Sequence, residues 1–267
     1  MTSDSQQSLP AAQDRLPRSR ALPGWLITVL LLFLAAAMPA FLVLTGVRLV
    51  MSEAFIWLEY NRPGFPADRY GFSKAERLKY APYAVRYLLN GANIDYLGDL
   101  TFDDGEPLYT ADELKHMEDV KVVTRGARRV HTLLSVAFVA AILALAWQRE
   151  TRWALRRGLA DGGIFTIFLM VTLAVFIFAS WDLFFEGFHR IFFKGNSWQF
   201  SNSDTLIRLF PEQFWFDAAL SIGVMTLGGA VGAIWGMWYW ERQLLKVPQA
   251  LSPTLPLTQG KGEDRQP

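Results

Sequence analysis

Four stretches of the chain are apolar over nearly their whole length and are separated by polar segments. They lie at residues 25–47, 130–148, 164–181 and 218–240. Because an α-helix rises ~1.5 Å per residue, about 20 such residues cross the ~30 Å hydrocarbon core of a bilayer. The second stretch is short, so we expect its helix to begin earlier, in the preceding residues. One stretch alone would fit a buried core helix, but four together predict an all-α polytopic membrane protein with four transmembrane helices.

The first stretch shares two features with a secretory signal peptide. Arginines precede it, and it contains the small residues Ala35, Ala36 and Ala37. The apolar core of a signal peptide is usually about 7–15 residues long, and this stretch is longer. We therefore interpret it as an uncleaved transmembrane anchor.

Basic residues predict the orientation of the four helices. Two groups stand near the ends of the stretches: Arg15, Arg18 and Arg20 before the first, and Arg149, Arg152, Arg156 and Arg157 between the second and the third. By the positive-inside rule these segments are cytoplasmic, so both termini are cytoplasmic and residues 50–129 and 182–217 are extracytoplasmic. Arg128 and Arg129 are an exception to this rule, because they lie in the segment assigned as extracytoplasmic. We expect them to face lipid phosphates.

The domain organisation follows from the same pattern. Residues 1–20 and 247–267 are polar and rich in Pro, Ser and Gln, which predicts two disordered cytoplasmic tails. The membrane domain is then residues 21–246. Within it, the spacing of Gly228, Gly232 and Gly236 at every fourth position predicts a helix-packing face.

The extracytoplasmic segment before the second stretch carries its own helix signals. Ser73 with Glu76 matches a capping box and predicts a helix that Pro82 interrupts, with a second helical piece from Pro82 to Asn90. Thr110 with Glu113 repeats the capping box and predicts a helix that continues into the second transmembrane stretch. Residues 100–110, with Asp-Asp-Gly in the middle, predict a small hairpin. The four helices should therefore carry a mainly helical extracytoplasmic cap.

Composition and motifs exclude several kinds of chemistry. The chain has 267 residues, 52% of them hydrophobic, and no cysteine, which excludes disulfides, thiolate metal sites and thiol nucleophiles. The run Gly195-Asn196-Ser197-Trp198-Gln199 lacks the second glycine of a serine-hydrolase elbow, and no phosphate-binding glycine loop is present. No basic stripe indicates a nucleic-acid partner.

The three histidines all fall on the predicted outer side, which favours a site there. His116 and Asp119 are three residues apart on one helix face, and Asp182, Glu186 and His189 share a face of the helix that leaves the membrane. Ionisable residues near a membrane are costly and often functional. For any one of them alone, the ordinary interpretation is an anchor at the headgroups. Their coincidence near one leaflet makes these five residues the candidate catalytic groups.

An aromatic and basic segment surrounds His189. Its aromatic members are Phe188, Phe192, Phe193, Trp198 and Phe200. Such residues concentrate at membrane interfaces, and here they would also line a slot for acyl chains. Arg190 and Arg208 are candidates to face a lipid phosphate or a developing oxyanion, whereas Lys194 is expected only to reach toward the headgroups. The predicted substrate-binding residues are therefore Arg190, Arg208, Phe192, Phe193 and Trp198.

Three segments in this order carry a family resemblance. They read YGFSKAERLKYA, LKHMEDVKVV and FHRIFFKGNSWQF followed by DTLIRLFPEQFW. Together with the four stretches, over about residues 25–240, this pattern resembles the lipoprotein intramolecular transacylase (Lit) family of integral membrane proteins. The resemblance implies an acyltransferase of the bacterial plasma membrane, with the active site at the outer leaflet. It would move the sn-2 acyl chain of a diacylglyceryl-modified lipoprotein to the α-amino group of the same N-terminal cysteine. The implied partners are that lipoprotein terminus and membrane lipid, and no cofactor or metal is implied.

The residues are compatible with this reaction. Because donor and acceptor belong to one molecule, orientation alone supplies a large effective molarity and no enzyme nucleophile is needed. An α-amino group has a pKa of about 7.7 and an imidazole about 6.5, so a neutral histidine is a suitable proton acceptor. We expect His189 to be this base. His116, among the acidic residues Glu113, Glu118 and Asp119, is expected to be protonated and to donate a hydrogen bond. Asp119, Glu186 or Asp182 would orient the histidine in the cavity.

Two other functions fit the same residues. In the first, the chain is a membrane scaffold or lipid-binding protein whose histidines only anchor helix ends. In the second, it is a zinc-dependent membrane hydrolase in which both histidines and a carboxylate bind the metal, although no motif with metal-ligand spacing supports this.

Overall fold

The computed structural model of the protein describes residues 22–193, 195 and 198–245. The predicted tails therefore lie outside the described residues. The helices are α1 (Gly24–Val50), α2 (Glu53–Asn61), α3 (Lys74–Leu89), α4 (Asp95–Gly98), α5 (Ala111–Trp147), α6 (Arg152–Ala179, preceded by a 3-10 turn at Arg149–Thr151), α7 (Trp181–Phe192), α8 (Thr205–Leu209) and α9 (Glu212–Leu245). These described ranges contain no strand, and the prediction of an all-α fold is confirmed.

Four of the helices, α1, α5, α6 and α9, are long and apolar enough to cross a membrane. Large apolar side chains on them are exposed, among them Leu133 (71%), Phe168 (64%) and Trp235 (63%), and lipid is the environment that suits such faces. The 37 residues of α5 span about 55 Å at ~1.5 Å per residue, nearly twice a hydrocarbon core. We treat only its second half, from about residue 130, as crossing the membrane.

Glycines of α6 allow the transmembrane helices to approach closely. A Cβ atom added at Gly162 would lie 2.9 Å from the Sδ atom of Met38 on α1. One added at Gly163 would lie 2.6 Å from Cγ1 of Ile234 and 2.9 Å from the carbonyl oxygen of Ala230, both on α9. Small residues are the usual means of close helix packing in membranes. They bring α6 into close contact with both α1 and α9.

The prediction that three glycines form a packing face on α9 is wrong. A Cβ atom would meet no atom within 4 Å at any of its three members, Gly228, Gly232 and Gly236. The neighbouring Gly229 is the close contact instead, because a Cβ there would lie 2.9 Å from Cδ2 of Leu42. The regular spacing identified residues that share a helix face, but at these three positions that face makes no close contact with another described helix.

A second layer, which we call the cap, consists of α2–α4, the first half of α5, α7 and α8. It has its own apolar core, separate from that between the transmembrane helices, and its most buried members include Ile56, Leu97, Leu108 and Leu209. Burying each such side chain stabilises the fold by about 1.5–3 kcal/mol. This core holds the segment before α9 against the first half of α5.

Helix α3 runs without interruption through Pro82, contrary to the prediction of two pieces. A proline inside a helix removes one hydrogen bond and costs about 3 kcal/mol or more. The same helix buries Ala81, Ala84 and Tyr87 in the cap core, and this burial offsets the cost. The predicted helix starts are confirmed, since both capping boxes are formed.

Basic residues of α5 bind the end of α3. Lys121 Nζ donates to the carbonyl oxygen of Ala92 at 2.6 Å, and Arg128 Nη1 donates to that of Leu89 at 3.0 Å. Positive charge at a helix C-terminus is favourable. Arg128 therefore holds the cap onto α5, and the expectation that Arg128 and Arg129 face lipid phosphates stays a prediction.

The hairpin predicted before α5 is present as a tight turn. Phe102 N donates to the carbonyl oxygen of Glu106, and Leu108 N donates to that of Leu100, both at 2.8 Å. Gly105 occupies the turn with φ +89°, a conformation that favours glycine. The turn brings the chain back to the start of α5.

Candidate active site

The start of α5 places His116 inside the cap. Glu113, whose side chain is fully buried, accepts the Thr110 N–H at 2.8 Å through Oε2 and the Leu206 N–H at 2.6 Å through Oε1. Because residues three apart lie on one helix face, His116 projects to the same side one turn later. It is buried there, beside the segment that Glu113 holds.

His189 lies on a separate helix, not on an extension of the third transmembrane helix as predicted. Helix α6 ends at Ala179, and Ser180 begins α7 by accepting the Leu183 N–H at 3.4 Å through its hydroxyl oxygen. The backbone of Ser180 is extended, with φ −159° and ψ 93°, so the two helices cannot be continuous. Serine is a favoured residue at such a start.

Both histidines pack against one aromatic ring. The centroid of the Phe193 ring is 5.0 Å from that of His116 and 5.7 Å from that of His189. Phe200 closes one side, 5.3 Å from His116, and Trp198 stacks on His189 at 4.8 Å. We call these five residues the histidine cluster. The structure therefore brings the two predicted histidines together.

The tautomer of His189 follows from its hydrogen bond. Its Nδ1 lies 2.8 Å from the carbonyl oxygen of Phe185, which can only accept, so Nδ1 carries the proton. Nε2 then has a free electron pair and is the basic nitrogen. Burial lowers the pKa of His189 below its usual range, while the bond to Phe185 acts in the opposite direction.

His116 is also neutral, which contradicts the prediction that it is protonated. Burial lowers the pKa of His116 to about 4, and the nearby His189 contributes in the same direction, whereas Asp119 acts against it. Its Nδ1 is buried without a hydrogen-bond partner among the described residues. The prediction relied on the acidic residues next to His116 in the sequence, but these residues pair with other groups.

Those partners are clear from the geometry. Glu113 is engaged by the backbone of Leu206, as described above. Lys115 lies 3.3 Å from Glu118 and 3.9 Å from Asp119, so both of these carboxylates pair with it at the surface. None of the three accepts a hydrogen bond from an imidazole in the described part of the chain.

The carboxylates predicted to orient a histidine do not do so. Asp119 pairs with Lys115, Glu186 pairs with Arg190 one turn along α7, and Asp182 is exposed in the first turn of that helix. Within the residues that the structure describes, the group that orients His189 is the carbonyl of Phe185. A backbone carbonyl leaves no signal in the sequence, so this partner could not have been predicted.

The predicted substrate-binding residues separate into two groups. Phe193 and Trp198 belong to the histidine cluster. Phe192 instead packs on Phe188 at 4.9 Å and is exposed, and Arg190 is 71% exposed beside Glu186. Arg208 is held inside the cap, where it donates to a carboxylate and a carbonyl: Nε to Asp68 Oδ2 at 3.0 Å and Nη2 to Tyr70 O at 3.1 Å.

The third histidine is not part of the cluster. His131 Nε2 lies 3.0 Å from Thr45 Oγ1, its Nδ1 lies 3.4 Å from Arg48 Nη1, and its ring stacks on Phe41. It therefore joins α5 to α1. Among the described residues, no three His, Cys, Asp or Glu side chains are grouped so that they could hold a metal ion, and the zinc alternative has no ligand set there.

Four apolar helices under a helical cap, with two neutral histidines on one aromatic ring, define an integral membrane protein with a candidate acid–base site. The chain belongs to the lipoprotein intramolecular transacylase Lit family, whose model matches residues 31–215. The family predicted from the sequence is confirmed, and the protein is a membrane acyltransferase of the lipoprotein-modifying kind.

The chain is also similar to individual proteins. The chain is 33% identical over 179 residues to an uncharacterized protein of Aquifex aeolicus (strain VF5), covering 67% of this chain and 79% of that protein. Its fold is similar to the in meso structure of the transacylase Lit from Bacillus cereus, with a TM-score of 0.64 and 21% identity over 84% of this chain and 98% of that chain. A variant of that protein with a histidine replaced by alanine matches with a TM-score of 0.62 and 20% identity, over 83% and 96%.

Proposed function

We propose that the histidine cluster transfers the sn-2 acyl chain of a diacylglyceryl-modified lipoprotein to the α-amino group of the same N-terminal cysteine. The observation that supports this assignment is the pair of histidines on the Phe193 ring, one of them with its basic nitrogen defined. We also infer that both termini are cytoplasmic, so that the cap and cluster face the outer leaflet of the plasma membrane, where membrane lipid is the second partner.

His189 is the general base in this proposal. The neutral amine attacks the ester carbonyl carbon, and Nε2 of His189 takes the proton that the nitrogen releases. The tetrahedral intermediate then collapses, the bond between the carbonyl carbon and the sn-2 oxygen breaks, and His189 returns the proton to that oxygen. The products are an amide and a free sn-2 hydroxyl, and His189 is neutral again. A positioned base of this kind contributes about 10²–10⁴-fold.

His116 donates a hydrogen bond to the carbonyl oxygen of the ester in this proposal. A neutral imidazole has one N–H, and a neutral histidine can polarise a carbonyl. The lowered pKa of His116 keeps it neutral, and its unpartnered Nδ1 is adjacent to the Phe193 and Phe200 rings. Because His116 is buried, a donor fixed there stabilises the developing oxyanion more than it would in bulk solvent.

The exposed groups of α7 have a different role. Phe192 and Arg190 do not reach the cluster. We infer that Phe192 lies among lipid chains and that Arg190, with Glu186, lies at the headgroups. The acyl chain would instead contact Phe193 and Trp198.

The test uses cells that cannot N-acylate lipoproteins by another route. The wild-type chain is expressed, and the N-terminal lipopeptides are analysed by mass spectrometry. We expect the acyl chain on the α-amino nitrogen and a free sn-2 hydroxyl. His189→Gln, which cannot carry the proton, should lower this product by about 10²-fold or more. His116→Gln should retain measurable product, because an amide can still donate a hydrogen bond.

The third histidine provides the matched control. His131→Gln makes the same chemical change between α1 and α5, away from the cluster, and should leave the product near the wild-type amount. Equal loss in all three folded variants would show that the histidines act only in the structure. Full activity of both cluster variants would refute their catalytic assignment.

A further inference from the structure

A groove opens between the start of α5 and the loop before α8. Pro107, Thr110 and Ala111 line one side, and Ser203, Asp204 and Thr205 line the other. Tyr109 also belongs to the lining, and its hydroxyl is buried without a hydrogen-bond partner among the described residues. Neither the acid–base groups nor the acyl chain of the proposed reaction uses this groove.

The groove lies next to the histidine cluster, although no member of the cluster lines it. Glu113 belongs to its lining and is one helical turn, about 4.5 Å along the axis, from His116. The segment from Phe200 to Thr205 forms a wall of both, since Phe200 packs on His116 and Thr205 lines the groove. Because the second half of α5 crosses the membrane, the direction from His116 to the start of α5 leads away from the bilayer.

We propose that this groove binds the residues that follow the acylated cysteine of the lipoprotein substrate. The inference rests on the proposed function. With its amine at His189, the cysteine must continue through its carbonyl into the rest of the polypeptide, which leaves the membrane. An extended chain covers roughly 3.3–3.6 Å per residue, so two residues beyond the cysteine cover more than the one helical turn, about 4.5 Å, between His116 and Glu113.

The charge around the groove selects the kind of peptide. The turn beside it carries Asp103, Asp104 and Glu106, of which Asp103 pairs with Lys79 at 2.9 Å. Asp204 adds a carboxylate to the lining. The one cation of the described lining, Arg208, is already paired with Asp68. The groove should therefore favour neutral or basic residues after the cysteine and disfavour acidic ones.

The experiment compares two substrates with the full-length protein in lipid nanodiscs. One is diacylglyceryl-cysteine amide, and the other is a diacylglyceryl-cysteinyl pentapeptide. Ala111→Trp adds bulk to the exposed side of the groove. We expect it to raise KM for the pentapeptide by about tenfold with little change in kcat, and to leave both constants of the short substrate unchanged. Ala75→Trp is the control, because Ala75 is exposed in the first turn of α3, which also begins with a capping box.

A second measurement needs only the wild-type protein. Pentapeptides with Lys or with Asp at the positions after the cysteine should differ about fivefold or more in KM, the Asp peptide being the weaker, and salt should reduce the difference. Equal KM values, or an equal effect of Ala111→Trp on both substrates, would overturn the groove assignment while acyl transfer persists. No transfer on either substrate would refute the proposed function, and the groove assignment with it.

Discussion

The protonation states of the histidine cluster predict the shape of the pH–rate profile. The amine must be neutral to attack, and its ordinary pKa is about 7.7. His189 must be neutral to accept a proton, and burial lowers its pKa below the usual value of about 6.5. From about pH 7.7 down to 6.5, log(kcat/KM) should therefore fall with a slope of one, from the amine alone. The slope should reach two only below the lowered pKa of His189.

The size of the effect can be calculated for comparison with an unshifted base. At pH 5.5 an imidazole with a pKa of about 6.5 is neutral in only about one molecule in eleven, so it would cost about elevenfold beyond the loss from the amine. The lowered pKa of His189 makes the additional loss smaller than this. With its pKa lowered to about 4, His116 should not contribute to the profile between pH 5 and 9.

The assay measures formation of the N-acyl product by mass spectrometry, with protein in nanodiscs and a synthetic diacylated lipopeptide, from about pH 5 to 9. The pKa of the substrate amine is titrated separately, so that its contribution can be removed. His189→Gln should be about 10²-fold slower and should keep a slope of one at all acidic pH values. An additional elevenfold loss of wild-type activity at pH 5.5 would refute the lowered pKa inferred for His189.

Two further predictions concern the fold and its orientation. Gly163→Ala should destabilise the protein by about 1–3 kcal/mol, because the new Cβ would lie 2.6 Å from a side chain and 2.9 Å from a backbone oxygen of α9. Gly228→Ala should be tolerated, and equal thermal unfolding of the two variants would contradict the packing described for α6. The chain has no cysteine, so Asp104→Cys and Arg157→Cys can each be labelled with an impermeant thiol reagent. Labelling from outside should succeed at 104 and fail at 157, and the reverse result would invert the topology.

Much of the fold could be predicted, because its signals are local or periodic. The capping box of Thr110 and Glu113 marks the start of α5, and long apolar runs mark the transmembrane helices. The contacts between helices were harder to predict from the sequence. The spacing of Gly228 and its equivalents is as regular as that of a packing face, yet the close contacts are made by Gly162 and Gly163, whose neighbours are far away in sequence.

The two histidines of the candidate site could be chosen from the sequence, but their hydrogen bonds could not be predicted, and their catalytic role stays a prediction. His116 and His189 could be identified because ionisable residues near a membrane are costly. Their protonation could not, since it depends on burial in the folded cap and on partners such as the Phe185 carbonyl. The break between α6 and α7 did have a signal in the sequence. Ser180 at the N-cap with Asp182 in the first turn of α7 is typical of a helix start.

Helix α7 has a consequence for how the enzyme must be handled. None of its residues is fully buried within the described chain, although it carries His189, and Leu183, Phe188 and Ile191 expose large apolar surfaces. Its position must then depend on the surrounding amphiphile as much as on the protein. With His189 as the proposed base, we expect that a detergent which preserves α1, α6 and α9 can still displace this helix and lower the activity without unfolding the protein. Thermal stability and specific activity should therefore respond differently to extraction, and lipid composition becomes a variable of catalysis.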